Sequence, residues 1–189
     1  MRSIDPTALV IVDVQKAIDD PIWARLGPRN NPTAENNMAA LLAAWRRTAW
    51  PIFHIRHDST FATSPYRPGQ PGHDFKDQVM PHPGETVIPK QTNSAFIGTD
   101  LEVRLRNARI KTVAIAGVIT NNSVEATVRM SGNLGFDTFL IEDATFTFAQ
   151  RDYNKRLWPA EHVHALSLAN LDGEYCTVVK TAAILQSLL

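Results

Sequence analysis

Thr7-Ala8-Leu9-Val10-Ile11-Val12 is a continuous apolar run, cut off abruptly at Asp13. A run this short and this apolar reads as a strand buried on both faces, the kind found in parallel sheets. Lys111 to Val118 (KTVAIAGV) is a second stretch of the same type.

Working outward from these two, helical and strand-like segments alternate. A polar loop follows Asp13, with its clearest turn signal at Gly27-Pro28-Arg29-Asn30-Asn31-Pro32. Thr33 is placed to cap a helix over Ala34 to Trp50, in which Met38, Leu41, Leu42 and Trp45 recur at helical spacing. Pro51 to Ile55 predicts a second strand, and Thr86 to Pro89 a short third one ending at Lys90. Thr99 or Asp100 can cap a helix carrying Leu101, Leu105 and Ala108. Beyond the Lys111–Val118 strand, a helix is expected from Asn122 to Leu134, stopped by Gly135. Phe136 to Ile141 predicts a fifth strand ending at Glu142 and Asp143. Ala160 to Leu171 predicts a helix, Tyr175 to Val179 a sixth strand, and a short helix closes the chain. Such alternation implies right-handed βαβ units in an α/β fold: a doubly wound, Rossmann-like parallel sheet of three layers, with helices on both faces.

At 189 residues the chain is read as a single domain over 1–189. Its composition, 44% hydrophobic and 20% charged, is that of a soluble globular protein. With 19 basic and 19 acidic residues the net charge is zero, which gives no electrostatic footprint for nucleic acid or an anionic membrane and little repulsion against self-association. Cys176 is the only cysteine, so no intrachain disulfide is possible. The amino terminus, MRSIDPTALVIVDVQ, lacks the features of a signal peptide, and a cytoplasmic protein is expected.

In doubly wound sheets ligands bind beyond the carboxyl ends of the strands, near the switch in strand order. Asp13 ends the first strand, Lys90 ends the third, and Ser123 opens the helix after the fourth, so a parallel sheet sets all three on one rim. The surrounding sequence is similar to the isochorismatase-like hydrolases, a family that includes nicotinamidases and N-carbamoylsarcosine amidases. Val12-Asp13-Val14-Gln15 resembles the V-D-x-Q signature, and Lys90-Gln91-Thr92-Asn93-Ser94-Ala95-Phe96 the K-x-x-x-S-A-F segment. Gly117-Val118-Ile119-Thr120-Asn121-Asn122-Ser123-Val124-Glu125-Ala126-Thr127 resembles G-x-x-T-x-x-C-V-x-x-T. The resemblance implies a six-stranded parallel sheet flanked by helices and a site built on Asp13 and Lys90. It places Ser123 where most members carry the catalytic cysteine, and it implies a cis peptide at Val118–Ile119 beside an oxyanion site.

In the family's amidases a cysteine thiolate attacks a carbonyl, while the aspartate takes its proton and the lysine supplies positive charge. A serine hydroxyl is a far weaker acid and needs a base in direct contact. Asn122 and Glu125 are spaced for a capping box that would set the amides near Ser123 at the positive end of the helix. Three readings follow. The first is hydrolysis of a small amide, carbamoyl or ether-like metabolite by Asp13, Lys90 and Ser123. The second is vinyl-ether hydrolysis of the isochorismatase type, with Asp13 as general acid and no covalent intermediate. The third is a catalytically silent relative that keeps a small-molecule pocket.

Between Asp58 and Glu85 five prolines and three glycines leave no periodicity, and the stretch reads equally as a binding lid or a solvated connection. Gln15, His57, Arg67 and Asn122 are candidate substrate contacts, Arg67 either as a carboxylate partner or as a solvated charge. His54, His57 and Asp58 lack the Asp-x-His unit of the family's metal-binding branch, so no metal or other cofactor is expected. His162 and His164 are expected on the surface and Cys176 in the core. Trp158 and Phe148 are candidates for a subunit interface, since relatives commonly form dimers or larger homo-oligomers. The substrate itself is not legible.

Overall fold

The computed structural model describes residues 6–188. Residues 1–5, which belong to the amino-terminal stretch discussed above, and residue 189 lie outside that description. Six strands form one parallel sheet: β1 (Thr7–Val12), β2 (Ile52–His57), β3 (Thr86–Lys90), β4 (Thr112–Val118), β5 (Asp137–Phe146) and β8 (Thr177–Val179). Their spatial order is β3-β2-β1-β4-β5-β8, and every neighbouring pair is parallel. A separate antiparallel ribbon pairs β6 (Gln150–Arg151) with β7 (Leu157–Trp158).

The central run behaves as its apolarity predicts. Leu9 and Ile11 of β1 pack against Met38, Leu41, Leu42 and Trp45 of α1 (Ala34–Thr48) and Ile184 of α5 (Thr181–Ser187). Val10 and Val12 point to the other face. There they meet Leu101 and Leu105 of α2 (Leu101–Asn107) and Val128 of α3 (Glu125–Asn133), while Leu168 of α4 (Ala160–Ala169) packs at the edge. Period-two alternation thus loads both faces of one strand, giving three layers; each fully buried Val, Leu or Ile contributes roughly 1.5–3 kcal/mol. Among the described residues no helix is long and apolar enough to cross a membrane.

Several expected boundaries move. α1 stops at Thr48, short of Trp50, because Ala49 turns left-handed (φ 55°) just before Pro51. Neither Thr33 nor Asp100 caps its helix with a side-chain bond; the Asp100 carboxylate bonds Arg104 instead. β5 does not end at Glu142 but runs to Phe146, with a register shift against β4 between Ile115 and Gly117. The carbonyls of Glu142 and Thr145 accept from the Asn31 amide and that of Asp143 from the Asn37 amide, so the extended chain beyond the shift stays satisfied. The sixth strand is only Thr177–Val179.

Two expected surface positions are buried. Phe148 packs inside the chain against Trp23 and Phe146. His164 faces inward, its Nδ1 2.9 Å from Thr120 Oγ1, whereas His162 is exposed. Cys176 lies in the core as expected, and burial pushes its thiol up to about 12.

The long 58–85 segment is a strap rather than a loose connection. Lys16 N–H donates to the Asp74 carbonyl, and Lys76 N–H to that of Val14. Lys76 Nζ reaches Glu35 of α1 at 2.9 Å and Asp19 at 2.7 Å. Gly72 lies against Ala17, where a Cβ would come within 2.6 Å of the Pro65 carbonyl oxygen.

Candidate functional site

The strand order reverses direction between β1 and β4, and the chain leaves both strands there in unusual conformations. Asp13 follows β1 with φ at 56°, in the left-handed region. Opposite it, Gly117 (φ 132°) pairs with Val12, and a Cβ at that glycine would sit 2.3 Å from the Val12 carbonyl oxygen. The Val118–Ile119 peptide bond is cis. Residues 120–124 then form one wide π turn before α3 begins at Glu125. Thr120 in that turn is held by Thr145 Oγ1 at 3.2 Å and by His164.

Three side chains converge at this point from three strand ends. Lys90 reaches across β2 from β3, a span of roughly 10 Å at two strand spacings. Its Nζ donates to Asp13 Oδ2 at 2.6 Å, to the Thr92 carbonyl at 2.9 Å and to Ser123 Oγ at 3.4 Å. Asp13, Lys90 and Ser123 are all buried. Asp13 Oδ1 is buried and finds no hydrogen-bond partner among the described residues. Burial pushes the Asp13 carboxyl above its ordinary value, overcoming the pull of Lys90 in the opposite direction. His57 stands beside the pair, its Nδ1 3.5 Å from Lys90 Nζ, and burial holds its imidazole below 6.5.

Thr127 ties the pieces together. Its hydroxyl donates to the Ser123 carbonyl at 2.7 Å and accepts from Ala95 N–H at 3.0 Å, fixing the segment after Lys90 against the Ser123 turn. The capping box expected from Asn122 and Glu125 does not form. Glu125 instead accepts from Arg129 and from Ser167 of α4. The wide turn, not a capped first turn, carries Ser123.

A cavity of about 200 Å³ opens on Asp13 and Ser123, with His57, Val118, Ile119 and Asn122 also in its wall. Gln15 is not in that wall. It is fully buried, its amide donating to the His57 and His73 carbonyls and accepting from His57 N–H, so it has no group left for a ligand. Arg67 is exposed and outside the cavity. Sequence reasoning missed the roof, which comes from the strap and the first loop: Trp23, Phe61 and Tyr66, with Ser59 and Ser64. The Tyr66 hydroxyl donates to the Asp13 carbonyl at 3.4 Å, and burial drives its pKa well above 10.0. The only signal for Tyr66 was an aromatic residue within a Pro- and Gly-rich stretch.

His54, His57 and Asp58 do not converge. His54 is bonded to Glu85 at 2.8 Å, while Asp58 accepts from Arg56 and lies 2.8 Å from His73. Among the described residues no group of three His, Cys, Asp or Glu side chains is arranged to hold a metal ion.

Known proteins resemble this chain in sequence and fold. Residues 7–182 match the isochorismatase domain. The isochorismatase-family protein YrdC of Bacillus subtilis is 44% identical over 182 residues, covering 96% of this chain and 96% of that protein. A crystal structure of an isochorismatase-family protein from Chromobacterium violaceum is 58% identical, with a TM-score of 0.94, and the match covers 98% of this chain and 95% of that one. Ureidoacrylate amidohydrolase RutB of an Enterobacter species is 27% identical over 174 residues, 74% of each chain.

Proposed function

The chain belongs to the isochorismatase family, and on that premise we propose that it hydrolyses a small amide, carbamoyl or ether-like metabolite with Asp13, Lys90 and Ser123. The observation that carries this reading is the unpartnered Oδ1 of buried Asp13, in a carboxylate whose other oxygen is fixed by Lys90. Asp13 lines the cavity, and a carboxylate oxygen with no committed partner is equipped to take a proton and give it back. RutB, a relative named for amide hydrolysis, supports the choice of an acyl substrate.

In this reading Ser123 stands at the family's nucleophile position. Its Oγ forms a bond to the substrate carbonyl carbon while its proton passes to Asp13 Oδ1. The C–N bond then breaks, and the leaving nitrogen takes that proton from Asp13. Water then bonds to the acyl carbon and gives a proton to Asp13; the C–Oγ bond breaks, Asp13 returns that proton to Ser123 Oγ, and the acid leaves. Lys90 holds Asp13 in place and favours negative charge beside it. The wide turn after Val118 and Ile119 supplies the amide dipoles for the carbonyl oxygen.

A second reading draws on the raised Asp13 carboxyl. A carboxyl that keeps its proton to higher pH suits a general acid attacking an ether without a covalent intermediate. The two part in one set of assays across amide, ester and vinyl-ether compounds. Acyl transfer predicts a covalent adduct at Ser123, found by mass spectrometry, and loss of turnover in Ser123→Ala. The acid route predicts turnover that survives Ser123→Ala and vanishes in Asp13→Ala. Amidase activity that appears only in Ser123→Cys would rule out the serine as nucleophile. Ligand-induced stabilisation without turnover on any compound would leave a binding protein.

A further inference from the structure

The charges around the cavity sort its possible ligands more sharply than its shape does. Among the described residues, Asp13 is the only formally charged side chain in the cavity wall. Among the described residues, the two cations closest to the wall, Lys90 and Arg56, are both committed. Lys90 has no exposed side-chain surface, and its Nζ is taken by Asp13, Thr92 and Ser123. Arg56 donates to both oxygens of Asp58, and Arg67 is exposed and not among the residues of the wall. A substrate carboxylate entering here would find no uncommitted cation in the wall and would lie beside Asp13, so its lost hydration would not be replaced by a charge partner of its own.

What the wall offers instead is neutral. Asn93, Asn122, Ser59 and Ser64 supply hydrogen-bonding groups, and Trp23 and Tyr66 supply flat apolar surface, their rings edge to face at 6.2 Å. A volume of about 200 Å³ lies below the roughly 300–1,000 Å³ of sites for drug-sized ligands, so the ligand is small.

Resting on the acyl-hydrolase reading above, we propose that this site selects small uncharged amide or carbamoyl compounds and rejects their carboxylate-bearing analogues. Selection of this kind is negative as much as positive: the neutral compound exchanges its hydration for hydrogen bonds to the wall, whereas the anion gains no charge partner for the hydration it loses.

Three four-carbon probes separate the cases: butanamide, and the size-matched pair succinamide and succinamate, the last ionised at neutral pH. Ammonia release by the full chain gives kcat/KM, and titration of Ser123→Ala by calorimetry or NMR gives Kd without turnover. The expected result is a preference of at least about tenfold for both neutral probes over succinamate in each measurement. Ser64→Arg, which adds a cation at the cavity wall, should narrow that gap several-fold by improving succinamate. Succinamate bound or turned over as well as butanamide overturns the proposal, as does the absence of binding by all three. If the order of Kd holds while nothing is hydrolysed, the selectivity stands and the hydrolytic reading falls.

Discussion

The Asp13 carboxyl is pushed up by burial and pulled down by Lys90. Removing the lysine therefore has a direction. In Lys90→Met the carboxyl should rise further, so the acid limb of kcat/KM, which reports ionised Asp13 in the acyl-transfer route, moves to higher pH. A pH–rate profile of wild type and variant checks this; an unmoved limb would separate Lys90 from Asp13 ionisation. Gln15 makes a second case. Gln15→Ala removes three hydrogen bonds that hold His57 and His73, and it should cost about 2–4 kcal/mol in urea unfolding while raising KM. That Asp13, Lys90 and Ser123 meet was legible in the sequence, because a parallel sheet gathers strand ends on one rim and motifs resembling a known family mark the three positions. The role of Gln15 was not, since its partners are backbone groups 42 and 58 residues away.

At the scale of elements, the close approach of β1 and β4 is what lets Asp13 and the Ser123 turn share one cavity. Gly117→Ala places a methyl group against the Val12 backbone, which cannot move aside as a flexible side chain would. Its φ of 132° penalises alanine as well. The expected loss is about 3 kcal/mol or more by denaturant unfolding, together with loss of activity in the folded fraction. Unchanged stability would mean the two strands can separate at the switch point. The strands and helices themselves were readable from apolar runs and helical spacing. The overrun of β5 past Glu142 and Asp143 was not, because it depends on Asn31 and Asn37 meeting carbonyls from a distant segment. The inward turn of His164 likewise depends on where Thr120 lies, a tertiary fact with no local signature.

For the whole molecule, the ion pairs that fasten the strap set its tolerance of acid. Glu35, bonded to Arg29 and Lys76, is held down to about 2, as is Glu85, bonded to Arg46 and close to His54. A carboxylate depressed below its unfolded value of 4.5 adds stability that is complete above that pH and lost as pH falls toward 2. Each contributes about 1–2 kcal/mol once solvent screening is allowed for. His54 and His164 act earlier: burial holds both below 6.5, the unfolded chain takes up protons first, and stability declines as pH drops under that value. Unfolding midpoints measured from pH 7 to 3 should fall in two stages, and Glu35→Gln should flatten the lower one. The reversal of strand order between β1 and β4 has a consequence for assembly. A chain cleaved between β3 and β4 leaves Asp13 and Lys90 on one fragment and Ser123 on the other, with the seam running down the middle of the sheet. Neither half holds a site. Recovered turnover on mixing would therefore report the re-pairing of β1 with β4, making the reaction itself a gauge of when the centre of the sheet closes.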